Sequence, residues 1–99
     1  MQYLVIFNPT EPVDPSTMSA EAAEAHKREL AQGRVLYQQG TLRRSWEIDT
    51  DRRGAVCLFE ADSVEQAQAL ADTFPQVAAG AVETQVIPLK PDPAYFRVD

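Results

Sequence analysis

The sequence predicts one α+β domain whose elements follow the order β-α-β-β-α-β. Three observations support this order. A long stretch rich in Ala, Glu and Gln follows the first apolar run, a second and shorter helical stretch lies near the middle of the chain, and short β-compatible runs flank both. Four strands and two helices in this order form the ferredoxin-like, or split βαβ, arrangement. Both helices then cover the same face of one sheet.

The first strand and the first helix are the clearest elements. The run QYLVIFN predicts a strand at residues 2–8, and the prolines that follow make residues 9–18 an extended loop. The helix is predicted at residues 19–39. Ser19 suits its N-cap because the hydroxyl accepts a hydrogen bond from a free N–H of the first turn. Gly40 stands where helices commonly end.

The rest of the chain is predicted as a hairpin of two strands, a short helix and a fourth strand. Ser63 and Gln66 have the S-x-x-Q form of a capping box, which begins the short helix, and Pro75 ends it. Pro88 places the end of the fourth strand at a sheet edge or a bulge. The predicted ranges are a strand at 41–49, a turn at 50–54, a strand at 55–61, a loop at 76–81, a strand at 82–90 and a tail at 91–99.

The first and third strands are apolar on both faces. In the first strand, Tyr3, Val5 and Phe7 alternate with Leu4 and Ile6. The helices cover only one face, so the other is left as an exposed apolar patch, and such patches mark interaction surfaces. The pattern therefore predicts a homodimer packed sheet to sheet.

Length and composition exclude several classes of function. The chain of 99 residues is long enough for one core, so residues 1–99 are expected to form a single domain. No apolar run approaches membrane-spanning length, no signal-peptide pattern precedes the first strand, and the net charge of −6 argues against nucleic-acid binding. Cys57 is the only cysteine, which excludes an intramolecular disulfide and a zinc cluster of Cys and His. A cytoplasmic protein without a metal is expected.

His26 lies on the apolar stripe of the first helix. At 100° per residue it shares that stripe with Gly33, Leu36 and Tyr37, and Glu29, three residues on, is its neighbour. Histidine transfers protons near neutral pH, and a carboxylate beside it raises its basicity. The pair predicts a catalytic site in a cavity between helix and sheet, with Gly33 leaving room for a ligand. The alternative is a partly buried pair that only braces the helix.

The second strand supplies the candidate ligand-binding residues. Alternation places Arg44 and Trp46 on one face with Leu42 and Ile48. Arg44 would hold a substrate carboxylate through two hydrogen bonds, with Trp46 as an aromatic wall. The alternative for Arg44 is an ion pair with an acid of this chain or of a partner chain.

Three more residues are candidates for ligand contact, although each has a simpler interpretation. Arg43 is expected on the opposite face of the second strand, with Ser45 and Glu47. Tyr3 and Tyr37 carry phenol groups that can donate hydrogen bonds into a cavity, but such residues more often belong to the core. The thiol of Cys57 is expected to be buried and inert.

Four segments together resemble the muconolactone isomerase family, within the dimeric α+β barrel superfamily. They are YLVIF near the start, LYQQGTLRRSWEI, LFEADSVEQAQAL and VETQVIPLKPDP, and the resemblance spans residues 2–93. The segment Gly40–Trp46 is the most specific part. The chain is also similar to YciI-related proteins, in which a histidine on the first helix recurs.

The resemblance implies a homodimer or a larger ring of dimers, no metal or organic cofactor, and a small-molecule cavity between the first helix and the sheet. For the namesake enzymes it implies a proton shift that moves a double bond in a carboxymethyl butenolide. The family pattern R-H-L-W-R departs here, where Arg44 replaces a histidine and Glu47 replaces an arginine.

The expected function is a cofactor-independent isomerase that moves a proton on a lactone or enol-type substrate. Two alternatives stay open. One is a cofactor-free monooxygenase or cyclase acting on an aromatic or polyketide substrate, and the other is a small-molecule-binding protein without turnover.

Overall fold

The predicted order of strands and helices is confirmed. The computed structural model describes residues 1–11, 14–50 and 53–96; parts of the predicted loop 9–18, turn 50–54 and tail 91–99 lie outside the described residues. The elements are β1 Gln2–Pro9, a 3₁₀ turn Pro15–Thr17, α1 Ala20–Gln38, β2 Leu42–Glu47, β3 Ala55–Glu60, α2 Val64–Asp72, α3 Pro75–Ala78, β4 Val82–Pro88 and α4 Pro93–Phe96.

Two short helices occupy segments that were predicted as a loop and a tail. Pro75 is the first residue of α3. Proline suits the first turn of a helix because its ring fixes a helical φ and because an N–H at that position would have no partner within the helix. Gly80 closes the same turn with a φ of +80°. Pro93 likewise begins α4.

The strands form one antiparallel sheet in the order β2-β3-β1-β4. The central strands β1 and β3 pair from Gln2 with Glu60 to Phe7 with Ala55. β2 and β4 form the two edges. This is the ferredoxin-like sheet that the element order predicts.

The core lies between the sheet and its helices. Val5 and Phe59 are completely buried, and Phe59 stacks on Phe74 with ring centroids 6.4 Å apart. Phe7 contacts both rings edge to face, at 6.4 and 5.4 Å. Within the described part of the chain, no helix combines the length and apolarity needed to cross a membrane.

Both ends of α1 follow the sequence-based expectation. The Ser19 hydroxyl accepts a hydrogen bond of 3.1 Å from the N–H of Ala22. Gly40 has a φ of +80°, its N–H bonds to the Tyr37 carbonyl, and the next N–H bonds to the Leu36 carbonyl. This is a Schellman motif, which turns the chain sharply into β2.

The cap of α2 differs in one bond from the predicted capping box. The Ser63 hydroxyl accepts from the N–H of Gln66 at 3.0 Å, as expected. The Gln66 side chain, however, accepts from the N–H of Asp62 rather than from that of Ser63. The helix start is therefore stabilised at the residue before its N-cap.

A β-bulge in β2 overturns one prediction about side-chain direction. Leu42 pairs with Phe59, but the next pair joins Arg44 to Leu58, so Arg43 is an extra residue. Beyond it, every side chain of β2 changes face relative to strict alternation. The expectation that Leu42 shares a face with Arg44 and Trp46 is wrong.

The face of the sheet away from the helices is apolar, as predicted. Its cross-strand pairs include Leu4 with Leu58 and Ile6 with Val56. Trp46 pairs with Val56 on this face and is 46% exposed. The Arg44 guanidinium lies 5.6 Å from the centre of its ring, a cation–π geometry.

Candidate functional site

A wide cleft separates α1 from the sheet. Its volume is about 2300 Å³, well above the roughly 300–1,000 Å³ of typical small-molecule sites. The reason is visible in α1, whose only buried side chain is Leu36. The helix docks at its C-terminal end, so the space beside its N-terminal half stays open to solvent.

His26 and Glu29 both line this cleft. Glu29 is half-buried, and its Oε1 accepts a hydrogen bond of 2.9 Å from the N–H of Gln76 in α3. Burial raises the pKa of Glu29, against the opposing effects of that hydrogen bond and of nearby His26. His26 itself is exposed. The helix thus presents an imidazole and a partly desolvated carboxylate on one wall.

Gly33 lies where α1 packs against the Leu42 side chain of β2. A Cβ at this position would meet the Leu42 side chain at 3.9 Å, an ordinary van der Waals contact. The glycine lines the cleft. A methyl group would fit at this position, one helical turn from Glu29 and two turns from His26.

The bulge decides which β2 side chains face the cleft. Ser45 pairs with Cys57 and Glu47 pairs with Ala55, so both project to the helix side of the sheet. The Ser45 hydroxyl lies 3.4 Å from the Cys57 sulfur. Burial raises the pKa of the Cys57 thiol, with the Ser45 contact opposing, which agrees with the predicted inert thiol.

The structure separates the other candidate ligand-binding residues. Arg44 and Trp46 lie on the far face of the sheet, and Arg44 reaches the cleft only at the β2 edge. Arg43 lines the cleft at the C-terminal end of α1, beside Tyr37, which is 64% exposed. Tyr3 is buried in the core, with its hydroxyl 3.8 Å from the Met1 sulfur.

Two cleft residues, Ser45 and Glu47, were missed as site candidates because strict alternation placed them on the wrong face. One signal in the sequence could have revealed the bulge. Strict alternation placed the charged Arg44 on the same face as Leu42, which is the face that packs against the helices. Among the described residues, no group of three or more His, Cys, Asp or Glu side chains is placed to hold a metal ion.

Comparison with known proteins supports the fold and the resemblance. No curated protein matches the sequence. A solved structure of muconolactone isomerase is similar, at 23% identity and a TM-score of 0.77, over 100% of this chain and 98% of that one. The 5-chloro-2-hydroxyhydroquinone dehydrochlorinase of Burkholderia phenoliruptrix AC1100, in complex with 2,5-dihydroxybenzoquinone, is also similar. It shares 18% identity and a TM-score of 0.67, over 91% of this chain and 94% of that one.

The similarity to the two solved structures establishes the fold. The family is identified from the sequence. A family model described as muconolactone delta-isomerase matches residues 1–94. The match runs from β1 through the start of α4 and includes both walls of the cleft. The chain therefore belongs to the muconolactone delta-isomerase family.

Proposed function

We propose that the protein is a cofactor-independent isomerase that moves a proton on a lactone or enol-type substrate held in the cleft between α1 and the sheet. The observation that carries the proposal is Glu29, a half-buried carboxylate with a raised pKa next to His26 in that cleft. Perturbed carboxylates of this kind are enriched at functional sites. Family membership points to the same chemistry.

In this mechanism His26 is the general base and then the general acid. It takes a proton from the carbon α to the lactone carbonyl, the electron pair moves into the conjugated enolate, and the same proton returns at the γ carbon. The double bond has then moved and no other atom has been gained or lost. A positioned imidazole contributes about 10²–10⁴-fold to such a step.

Glu29 acts through His26 in this mechanism. One carboxylate oxygen is held by the Gln76 N–H, which leaves the other free to orient the imidazole and to stabilise its cationic form. Glu29 is thus a positioning residue. The same hydrogen bond to Gln76 also holds α1 at a fixed distance from α3.

The assembly we propose is a homodimer formed through the open sheet face. The apolar side chains on that face, such as Leu4 and Ile6, are only half-buried, whereas Val5 on the helix face is completely buried. Such pairing leaves the cleft accessible, because the cleft lies on the opposite face of the sheet. A ring of dimers would extend the same arrangement.

The test is the isomerisation of α-angelica lactone, an uncharged butenolide, to its β isomer, followed by proton NMR in D₂O. Wild-type protein is expected to catalyse the shift, and His26→Gln to lower kcat by about 10²-fold or more. Glu24→Gln is the matched control, because Glu24 is exposed on the same helix and does not line the cleft.

The outcomes are distinct. Unchanged kcat in His26→Gln, with an unchanged melting temperature, would remove His26 from the mechanism. Absence of turnover by the wild type on both this lactone and a carboxymethyl butenolide would favour a binding protein over an isomerase.

A further inference from the structure

We infer that Ser45 and Glu47 form the second wall of the ligand site and that this wall selects an uncharged ring bearing hydroxyl groups over a ring bearing a carboxylate. The inference rests on the proposed function in one respect only, namely that the ligand occupies the cleft. It concerns what the site recognises, not how the proton moves.

The bulge at Arg43 is the first step. Because Ser45 pairs with Cys57 and Glu47 with Ala55, the two polar side chains of β2 project from the same face as the buried core. The short distance from the Ser45 hydroxyl to the Cys57 sulfur confirms this direction. Both residues line the cleft.

The second step is the position of Ser45 and Glu47 along the cleft relative to His26. Gly33 of α1 lies against Leu42 of β2, and helix and strand run in opposite directions from that point. Seven residues back along the helix to His26 span about 10 Å. Three to five residues forward along the strand, to Ser45 and Glu47, span about 10–17 Å. Ser45 therefore comes level with His26 across the cleft, and Glu47 lies about 7 Å further toward the N-terminal end of α1.

The third step is the state of the Glu47 carboxylate. Among the described residues it makes no hydrogen bond and no ion pair, so both oxygens are available to a ligand. A carboxylate accepts hydrogen bonds and donates none, whereas a serine hydroxyl does both. Neighbouring Phe7 and Ala55 provide apolar contact. A ring with adjacent hydroxyl groups satisfies both polar side chains.

The arginines that line the cleft are Arg28, Arg34, Arg43, Arg44 and Arg53. Among the described residues, none of them forms an ion pair with Glu47. Arg43 is at the far end, next to Tyr37 and Gln38. Arg53 lies at the mouth near Asp14, whose pKa is lowered first by hydrogen bonds from Ser16 and then by the Arg53 charge. A carboxylate bound against Ser45 and Glu47 would meet the negative charge of Glu47, and like charges disfavour each other at close range.

The experiment measures the binding of two probes, catechol and benzoate, by chemical-shift perturbation of the protein amides. The two share a ring and differ in carrying two hydroxyls or one carboxylate. Wild type is expected to bind catechol at least about tenfold more tightly than benzoate. Glu47→Gln should weaken this preference, and Glu47→Arg should reverse it. Glu24→Gln and Glu24→Arg make the same charge changes outside the cleft and should behave as wild type.

Three results would overturn the inference. They are equal or tighter binding of benzoate by wild type, an unchanged preference in Glu47→Arg whose amide spectrum shows an intact sheet, and no binding of catechol at millimolar concentration. The lactone assay separates this from the proposed function. Turnover without the catechol preference refutes the inference alone, whereas the preference without turnover refutes the isomerase alone.

Discussion

At the scale of single residues, the position of Glu29 has two opposing effects on the stability of the fold. Its hydrogen bond to the Gln76 N–H joins α1 to α3, while its partial burial penalises the charge. The charged form is useful beside His26 but costs stability. Such conflicts between stability and activity are common at functional sites.

We predict that Glu29→Gln raises the melting temperature near neutral pH while lowering turnover. Because the folded-state pKa of Glu29 is raised, its protonated form stabilises the fold, and this stability is lost as pH rises from the ordinary glutamate pKa through the raised value. The glutamine keeps an oxygen acceptor for Gln76. Thermal melts from pH 4 to 8 check this. A variant that is less stable than wild type at pH 7 would show that burial is not the dominant effect.

At the scale of elements, α1 is held by few buried apolar contacts for its length of 19 residues. Leu36 is its single buried side chain, and Leu30, Val35 and Tyr37 are each at least 50% exposed. Its other attachments are polar, through Glu29 and through a hydrogen bond from the Gln32 side chain to Thr73. Elements with few buried apolar contacts open locally at low free-energy cost, which suits a helix that borders a ligand cleft.

We predict that Leu36→Ala lowers the free energy of unfolding by about 2–5 kcal/mol, the range for a buried leucine. Val35→Ala is the control: Val35 is the adjacent residue and 50% exposed, so its change should stay within about 0.5 kcal/mol. Denaturant melts measure both. Hydrogen exchange should also be faster in the first half of α1 than in β1, and equal protection of the two would contradict this view of the helix.

At the scale of the whole molecule, the two faces of the sheet differ in how deeply their side chains are buried. The helix face is closed by Phe74 and the other core residues, whereas the Leu4–Leu58 and Ile6–Val56 pairs on the opposite face are only half-buried. An apolar sheet face of this kind is a typical protein interface. The stacking of Arg44 on Trp46 borders this face at the β2 edge.

We predict that the wild type is a dimer at micromolar concentration and that Ile6→Glu makes it a monomer. A buried, unpaired carboxylate at the centre of the interface would be too costly to desolvate. Light scattering gives the mass of each. Val35→Glu makes the same chemical change on exposed α1 and should remain dimeric. A monomeric wild type would refute sheet-to-sheet pairing.

The sequence alone determined most of the features that depend on neighbouring residues, with the short helices α3 and α4 as exceptions. The order of strands and helices, the Ser19 cap, the Gly40 turn and the adjacency of His26 and Glu29 follow from local hydrogen bonds and from helical periodicity, and the structure contains each of them. The family resemblance could also be recognised from the sequence, because each segment that carries it is a continuous stretch of the chain.

Only the tertiary structure decided the direction of the side chains in β2 and the partner of Glu29. The bulge exists because β2 pairs with β3 in a register that leaves Arg43 extra, and no residue of β2 read alone specifies that register. Glu29 meets a backbone N–H from 47 positions further along the chain. Both features depend on contacts between segments distant in sequence, and a shift of one residue in a strand exchanges its two faces. For this reason Ser45 and Glu47 face the cleft, whereas Arg44 reaches it only at the β2 edge and Trp46 lies on the opposite face of the sheet.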